Sequence, residues 1–186
     1  MSYLDPEFFA RDTLEVARDL IGTELIVGRC EGKIVETEAY TTDAASHFVM
    51  RRHQTAGFRE TYAHVYVFLI YGMHFCLNFT TERDGYGAVI IRAIEPTRGL
   101  RLMSQRRGTS EIKQLCSGPG RLCQAFGIDM SFNHLPIGRR LKLRPAAGPE
   151  PVVARSRRIG ITRAVELDWR FYEAGNAFVS GKRSEK

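Results

Sequence analysis

A chain of 186 residues that is 44% hydrophobic and 26% charged has the size and make-up of one globular domain with a core of its own. No apolar run reaches the roughly 18–20 residues of a membrane span, and the first residues lack the basic-then-apolar order of a signal peptide, so the expectation is a cytoplasmic protein without membrane attachment. The net charge of +6, with arginines concentrated in the second half, suits either a nucleic-acid binder or a solvated basic face.

Residues 12–22 read as a helix capped by Asp12, with Glu15 completing a capping box and Gly22 as terminator. A hairpin follows: residues 24–27, a turn around Glu31-Gly32, then residues 34–40. Residues 41–61 are polar and are expected to form a long loop, of the kind that is either functional or disordered. Strands are predicted over 65–70, 74–80 and 88–94, the first two joined by a turn at Tyr71-Gly72 and the last ended by Pro96. A helix around 99–107, a variable loop at 110–114 and a helix opened by Ser117-Gly118-Pro119-Gly120-Arg121 come next, closed by Gly127. Short strands are expected at 140–144, 159–161, 169–172 and 177–180. The order of hairpins and few helices predicts an α+β fold, a single domain over residues 1–186 with a curved, mostly antiparallel sheet flanked by helices.

The four cysteines, Cys30, Cys76, Cys116 and Cys123, have no C-x-x-C spacing, so no metal site, disulfide or cofactor is expected. Along strand 34–40, Glu36, Glu38 and Tyr40 share one face, which lines a cleft or faces solvent. Arg92 stands in an otherwise apolar strand and must meet a carboxylate or a polar cleft; Glu36 or Glu38 is a natural partner. A carboxylate beside that cation is expected to stay ionised, as a water-activating base must. Asn78 offers either a directional amide or a turn former. Tyr40, Tyr66, Phe68 and Tyr71 are either core or a stacking surface for bases. The helix opening at residues 117–121, with Gly118, Gly120 and Arg121, is either an anion site or a plain glycine-rich helix entry, and it lacks the spacing of a nucleotide-binding loop.

Together these stretches resemble the alkyladenine (3-methyladenine) DNA glycosylase family. The matching motifs are residues 34–40 (IVETEAY), 65–78 (VYVFLIYGMHFCLN), 91–96 (IRAIEP), 115–125 (LCSGPGRLCQA) and 170–172 (RFY), and the likeness runs from about residue 9 to 180. The resemblance implies a monomeric, monofunctional hydrolase of base excision repair, bound to damaged double-stranded DNA in the cytoplasm. It flips an alkylated or deaminated purine out of the duplex and cuts its N-glycosidic bond, leaving an abasic site. Carried over by position, Glu38 is the general base and Arg92 helps to hold the water. Tyr40, His47 and Phe68 position the flipped base, and Asn78 tests its edge against the guanine 2-amino group. Tyr71 wedges into the duplex, while Arg121 with Gly118 and Gly120 meets backbone phosphate. Two departures stand out: Phe68 replaces a usual tyrosine, and residues 54–61 are shortened where the family carries an arginine-rich stretch. Two other readings of the chain are a damage-binding protein without turnover and an enzyme acting on a small basic-protein substrate or a nucleoside.

Overall fold

The computed structural model describes residues 2–58 and 61–181. Asp5 caps a 3-10 turn at Pro6–Ala10 that drops Phe9 into the core. Helix α1 (Thr13–Asp19) begins as predicted, with the Asp12 carboxylate accepting from the amides of Leu14 and Glu15. It ends three residues before Gly22.

Strands β1 (Glu24–Val27) and β2 (Cys30–Tyr40) form the first hairpin. Its turn is Gly28-Arg29 and not Glu31-Gly32, because Val27 pairs with Cys30 and Gly28 supplies the positive φ (57°) of the first turn position. Gly32 serves another purpose. A Cβ there would lie 2.5 Å from Ile94 Cγ2, so only glycine admits the neighbouring strand.

Residues 41–61 are less loop-like than expected. They hold α2 (His47–Met50), capped by Ser46, then α3 (Arg52–Thr55) and a 3-10 turn at Ala56–Phe58. Arg59 and Glu60 of the shortened stretch lie outside the described residues.

Strands β3 (Val65–Ile70), β4 (His74–Thr81) and β5 (Gly87–Arg98) form a meander. Pro96 does not end β5; the strand runs through it opposite Gly32, where the ladder is irregular and no amide is needed. Then come α4 (Leu100–Arg107), α5 (Ile112–Leu115) in place of a loop, and α6 (Pro119–Phe126). Strands β6 (Leu141–Arg144), β7 (Val153–Ser156) and β8 (Arg170–Glu173) finish the fold. Sequence reasoning missed β7. Residues 159–161 and 177–180 are not strands but irregular backbone with bends and turns, and the first of these segments lines a cavity instead.

The strands pair antiparallel in the order β3-β4-β5-β2-β1-β6, with β8 on β2 and β7 on β8. This is the α+β, mostly antiparallel arrangement that the sequence predicts. One register positions everything that follows. Tyr66 lies opposite Asn78, Asn78 opposite Ile90, Ile90 opposite Glu38, and Glu38 opposite Arg170, so one row crosses five strands. The pleat then sorts side chains by parity. Odd-numbered Val65, Val67, Leu77, Phe79, Val89, Ile91 and Ala39 join Phe9, α1 and α6 in the main core. Even-numbered Tyr66, Phe68, Cys76, Asn78, Ile90, Arg92 and Tyr40 face a cavity.

Candidate active site

The cavity on the even-numbered face measures about 240 Å³. Its walls include Tyr40, His47, Phe68, Asn78 and Arg92, five of the residues that the sequence singled out. Pro119 of the glycine-rich helix entry and the segment 159–163 complete it.

Glu38 lies just beneath, its side chain only 1% exposed. Oε1 accepts from the Ile159 amide at 2.7 Å, while Oε2 accepts from Tyr40 Oη at 3.0 Å and Arg92 Nη1 at 3.2 Å. Burial acts on this carboxylate as well as the neighbouring cation that the sequence pointed to. Burial pushes the Glu38 carboxyl above its ordinary value of 4.5, and Arg92, the Ile159 amide and Tyr40 pull against it. A carboxylate held that way is a stronger base than one in water.

Arg92 meets both glutamates rather than one, giving Nε to Glu36 at 3.1 Å and Nη1 to Glu38. Glu36 is fully buried and also accepts from Arg170 Nε at 2.7 Å and the Ser180 amide at 2.6 Å. Glu36 is therefore the anchor of Arg92, while Glu38 keeps the position nearer the cavity. Arg170 belonged to a recognised motif, but nothing local in the sequence gave it a role, because Glu36 lies far away in the chain. Removing one partner of a buried ion pair is strongly destabilising, and without Arg170 the buried Glu36 keeps only Arg92 and the Ser180 amide. Arg170→Met should therefore lower the unfolding free energy by about 3 kcal/mol, measured by urea denaturation.

On the opposite wall His47 meets Phe68 edge-on at 4.4 Å, and its Nδ1 lies 2.9 Å from Tyr66 Oη. Burial, with help from Arg51, lowers the imidazole to about 4, so His47 is neutral at physiological pH. A neutral ring does not repel a cationic base. Asn78 gives its amide hydrogens to the carbonyls of Tyr66 at 3.0 Å and Cys76 at 3.3 Å, which fixes the amide orientation and leaves Oδ1 for the cavity.

The remaining predicted residues lie outside the cavity. Tyr71 tops the β3–β4 hairpin, 81% exposed, with Met73 at 69% and Leu69 at 45% beside it, an apolar tip left open by the described residues. Gly118 enters α6 at φ 126°, and at Gly120 a Cβ would lie 3.0 Å from His74 Cβ at the start of β4, a tight approach that glycine relieves. That contact seats the helix entry beside the hairpin tip. Arg121 is exposed there, donating to Ser117 Oγ at 3.2 Å. Sequence reasoning also missed Arg158, which read as one more surface cation but is buried against Asp43 and Tyr40.

No helix among the described residues is long and apolar enough to cross a membrane. The sequence profile of the methylpurine-DNA glycosylase family matches residues 7–177. Among curated proteins, one from Granulibacter bethesdensis is 44% identical over 96% of this chain and 88% of its own length. Others from Rhizobium meliloti and Agrobacterium fabrum are each 46% identical, covering 96% and 94% of this chain and 96% and 91% of their own lengths. All three bear the name "Putative 3-methyladenine DNA glycosylase". A profile match over nearly the whole chain, with relatives well above 30% identity, leaves one assignment: the chain belongs to the methylpurine-DNA glycosylase family.

Proposed function

We propose that this protein is a base-excision-repair glycosylase that flips alkylated or deaminated purines from double-stranded DNA and hydrolyses their N-glycosidic bonds, with Glu38 as the general base. The observation that carries the reading is the buried Glu38 carboxylate, held by Arg92, Tyr40 and the Ile159 amide directly under a cavity lined with aromatic rings. A flipped purine fits between Tyr40 on one side and His47 with Phe68 on the other. An alkylated base that carries positive charge stacks favourably on such rings and is already a good leaving group. Hydrolysis then needs an activated water and a negative charge near the oxocarbenium-like sugar, and an anionic Glu38 serves both. Arg92 holds the water beside Glu38 and keeps the carboxylate in place.

Asn78 meets the edge of the base. Both of its N–H bonds are engaged by strand carbonyls, so the amide cannot swing aside, and that rigidity suits a contact test against the guanine 2-amino group. Tyr71 enters the duplex as the nucleotide leaves it, and Arg121, with the backbone at Gly118 and Gly120, meets a flanking phosphate. The chemistry needs no cofactor or metal. We take the protein to act as a monomer on cytoplasmic DNA.

The test uses duplex oligonucleotides that each carry one of 3-methyladenine, 7-methylguanine, hypoxanthine or ethenoadenine. Alkali after incubation should cleave the lesion strand in at least one of them and leave the undamaged duplex whole. Lesion duplex that is bound but never converted to an abasic site would sink the assignment.

A further inference from the structure

The segment after β7 reaches the cavity without regular secondary structure, and one residue ties it down. Arg158 is buried, and its guanidinium grips Asp43 through Nη2 at 2.7 Å and Nη1 at 3.2 Å. Nη1 also donates to the Ala39 carbonyl at 2.9 Å, and Nη2 to that of Ala164 at 3.4 Å. The same guanidinium lies 4.5 Å from the Tyr40 ring centre and 5.1 Å from that of Trp169. Asp43 in turn accepts from the amides of Thr41 at 3.2 Å and Ala45 at 2.9 Å, shaping the turn that leads to His47. The pair thus joins the two walls of the cavity, with His47 following one member and Ile159 the other.

We propose that the Arg158–Asp43 pair positions the site: it sets the Ile159 amide on Glu38, backs Tyr40, and so fixes the pH range in which Glu38 works as a base. The inference rests on the reading of Glu38 as the general base. Of the three contacts to that carboxylate, the Ile159 amide is the shortest, at 2.7 Å against 3.0 and 3.2 Å. A hydrogen bond to the charged form favours that form. A backbone amide cannot follow the carboxylate if its segment shifts, so its contribution depends on what holds residue 158. The pair also cannot be idle in energetic terms, because a buried guanidinium that loses its carboxylate is strongly destabilised.

The charged and titratable groups around Glu38 are few. Arg92 faces it from β5 and Cys76 from β4, while Glu36 and Tyr40 share its strand. Arg170 of β8 is held on Glu36, and Arg158 comes from the segment between β7 and β8. Among these, only Arg158 and its neighbour Ile159 belong to irregular backbone. They are the ones that need an anchor.

The experiment follows single-turnover release of a positively charged alkylated purine, which needs no added proton to leave, from duplex DNA across pH. In Asp43→Asn the acid limb of the rate profile should move up by about half to one pH unit, with a smaller change in duplex binding. Arg158→Lys keeps a positive charge but loses the fork, and should move the limb the same way. In the unsubstituted protein the Ile159 amide resonance should titrate together with the rate, a reading that does not depend on any variant folding. An unmoved limb in a folded variant, or an Ile159 signal that stays flat through the limb, overturns the proposal. Retained excision in Glu38→Gln would instead overturn the base assignment, so the two failures are distinct.

Discussion

Glu38→Gln should bind a duplex carrying a damaged purine and fail to release the base, with the single-turnover rate reduced by about 10³-fold. The substitution keeps the shape of the side chain, and an amide oxygen can still accept the Ile159 N–H that now bonds Oε1 at 2.7 Å. What it removes is the carboxylate that Arg92, Tyr40 and the Ile159 amide hold beside the cavity, a group able to take a proton from water. Arg92 cannot substitute, since a guanidinium stays protonated, and neutral His47 stands on the opposite wall beside Phe68. Excision in the variant within tenfold of the parent would sink the role of Glu38.

The same carboxyl fixes the direction of the pH response. A general base must be deprotonated, and burial raises this carboxyl above the ordinary 4.5, so with Glu38 in that proposed role the rate should fall with acid at a pH higher than a surface glutamate would give. Stability responds with the opposite sign. Between 4.5 and its folded value the native chain holds a proton that the unfolded chain has released, so this group's contribution declines as pH rises through that window. His47 works the other way. Its folded value of about 4 lies below the ordinary 6.5, so the stability it supplies as a neutral ring is lost as pH falls from 6.5 towards 4. The acid limb of the rate is therefore not a titration of His47.

The sequence could show which residue types share a strand, and that was enough to place Glu38, Tyr40, Arg92 and Asn78 near one another. It could not show the parity rule that unites them. Strands β3, β4 and β5 are largely apolar on both faces, so apart from Asn78 and Arg92 the alternation that separates core from cavity leaves little polar mark on the chain. Register, too, was hidden, because the row from Tyr66 to Arg170 depends on hairpin turns and on an irregular ladder between Ile34 and Thr37. The turn at Gly28-Arg29 was misplaced for a related reason: a second glycine, Gly32, sat nearby and served strand approach instead of the bend. Arg158 and Asp43 were beyond reach because 115 residues separate them. A buried arginine looks like any other until its partner is known.

Tyr71→Asn should make the free protein more stable while weakening its hold on damaged DNA. Tyr71 and Gly72 are the central residues of the turn closed by the Met73 amide on the Ile70 carbonyl at 3.2 Å, and their φ angles are 53° and 69°. Both positive values make this a type I′ turn, whose preferred pair is Asn-Gly, whereas a tyrosine in the left-handed region is strained by about 1 kcal/mol. The ring recovers none of that within the fold, because it is 81% exposed at a tip flanked by exposed Leu69 and Met73. Strain and exposed apolar surface together point to a residue kept for something outside the chain. Inserted between base pairs, the ring would offset part of the few kcal/mol that unstacking and flipping a nucleotide require. Tyr71→Asn should therefore raise the unfolding free energy by about 1 kcal/mol in urea and lower affinity for lesion duplex about tenfold. Affinity for undamaged duplex, to which the proposed phosphate contact of Arg121 would contribute, should change much less. Equal losses on both duplexes would mean that Tyr71 only touches the backbone, and the wedge role would fall.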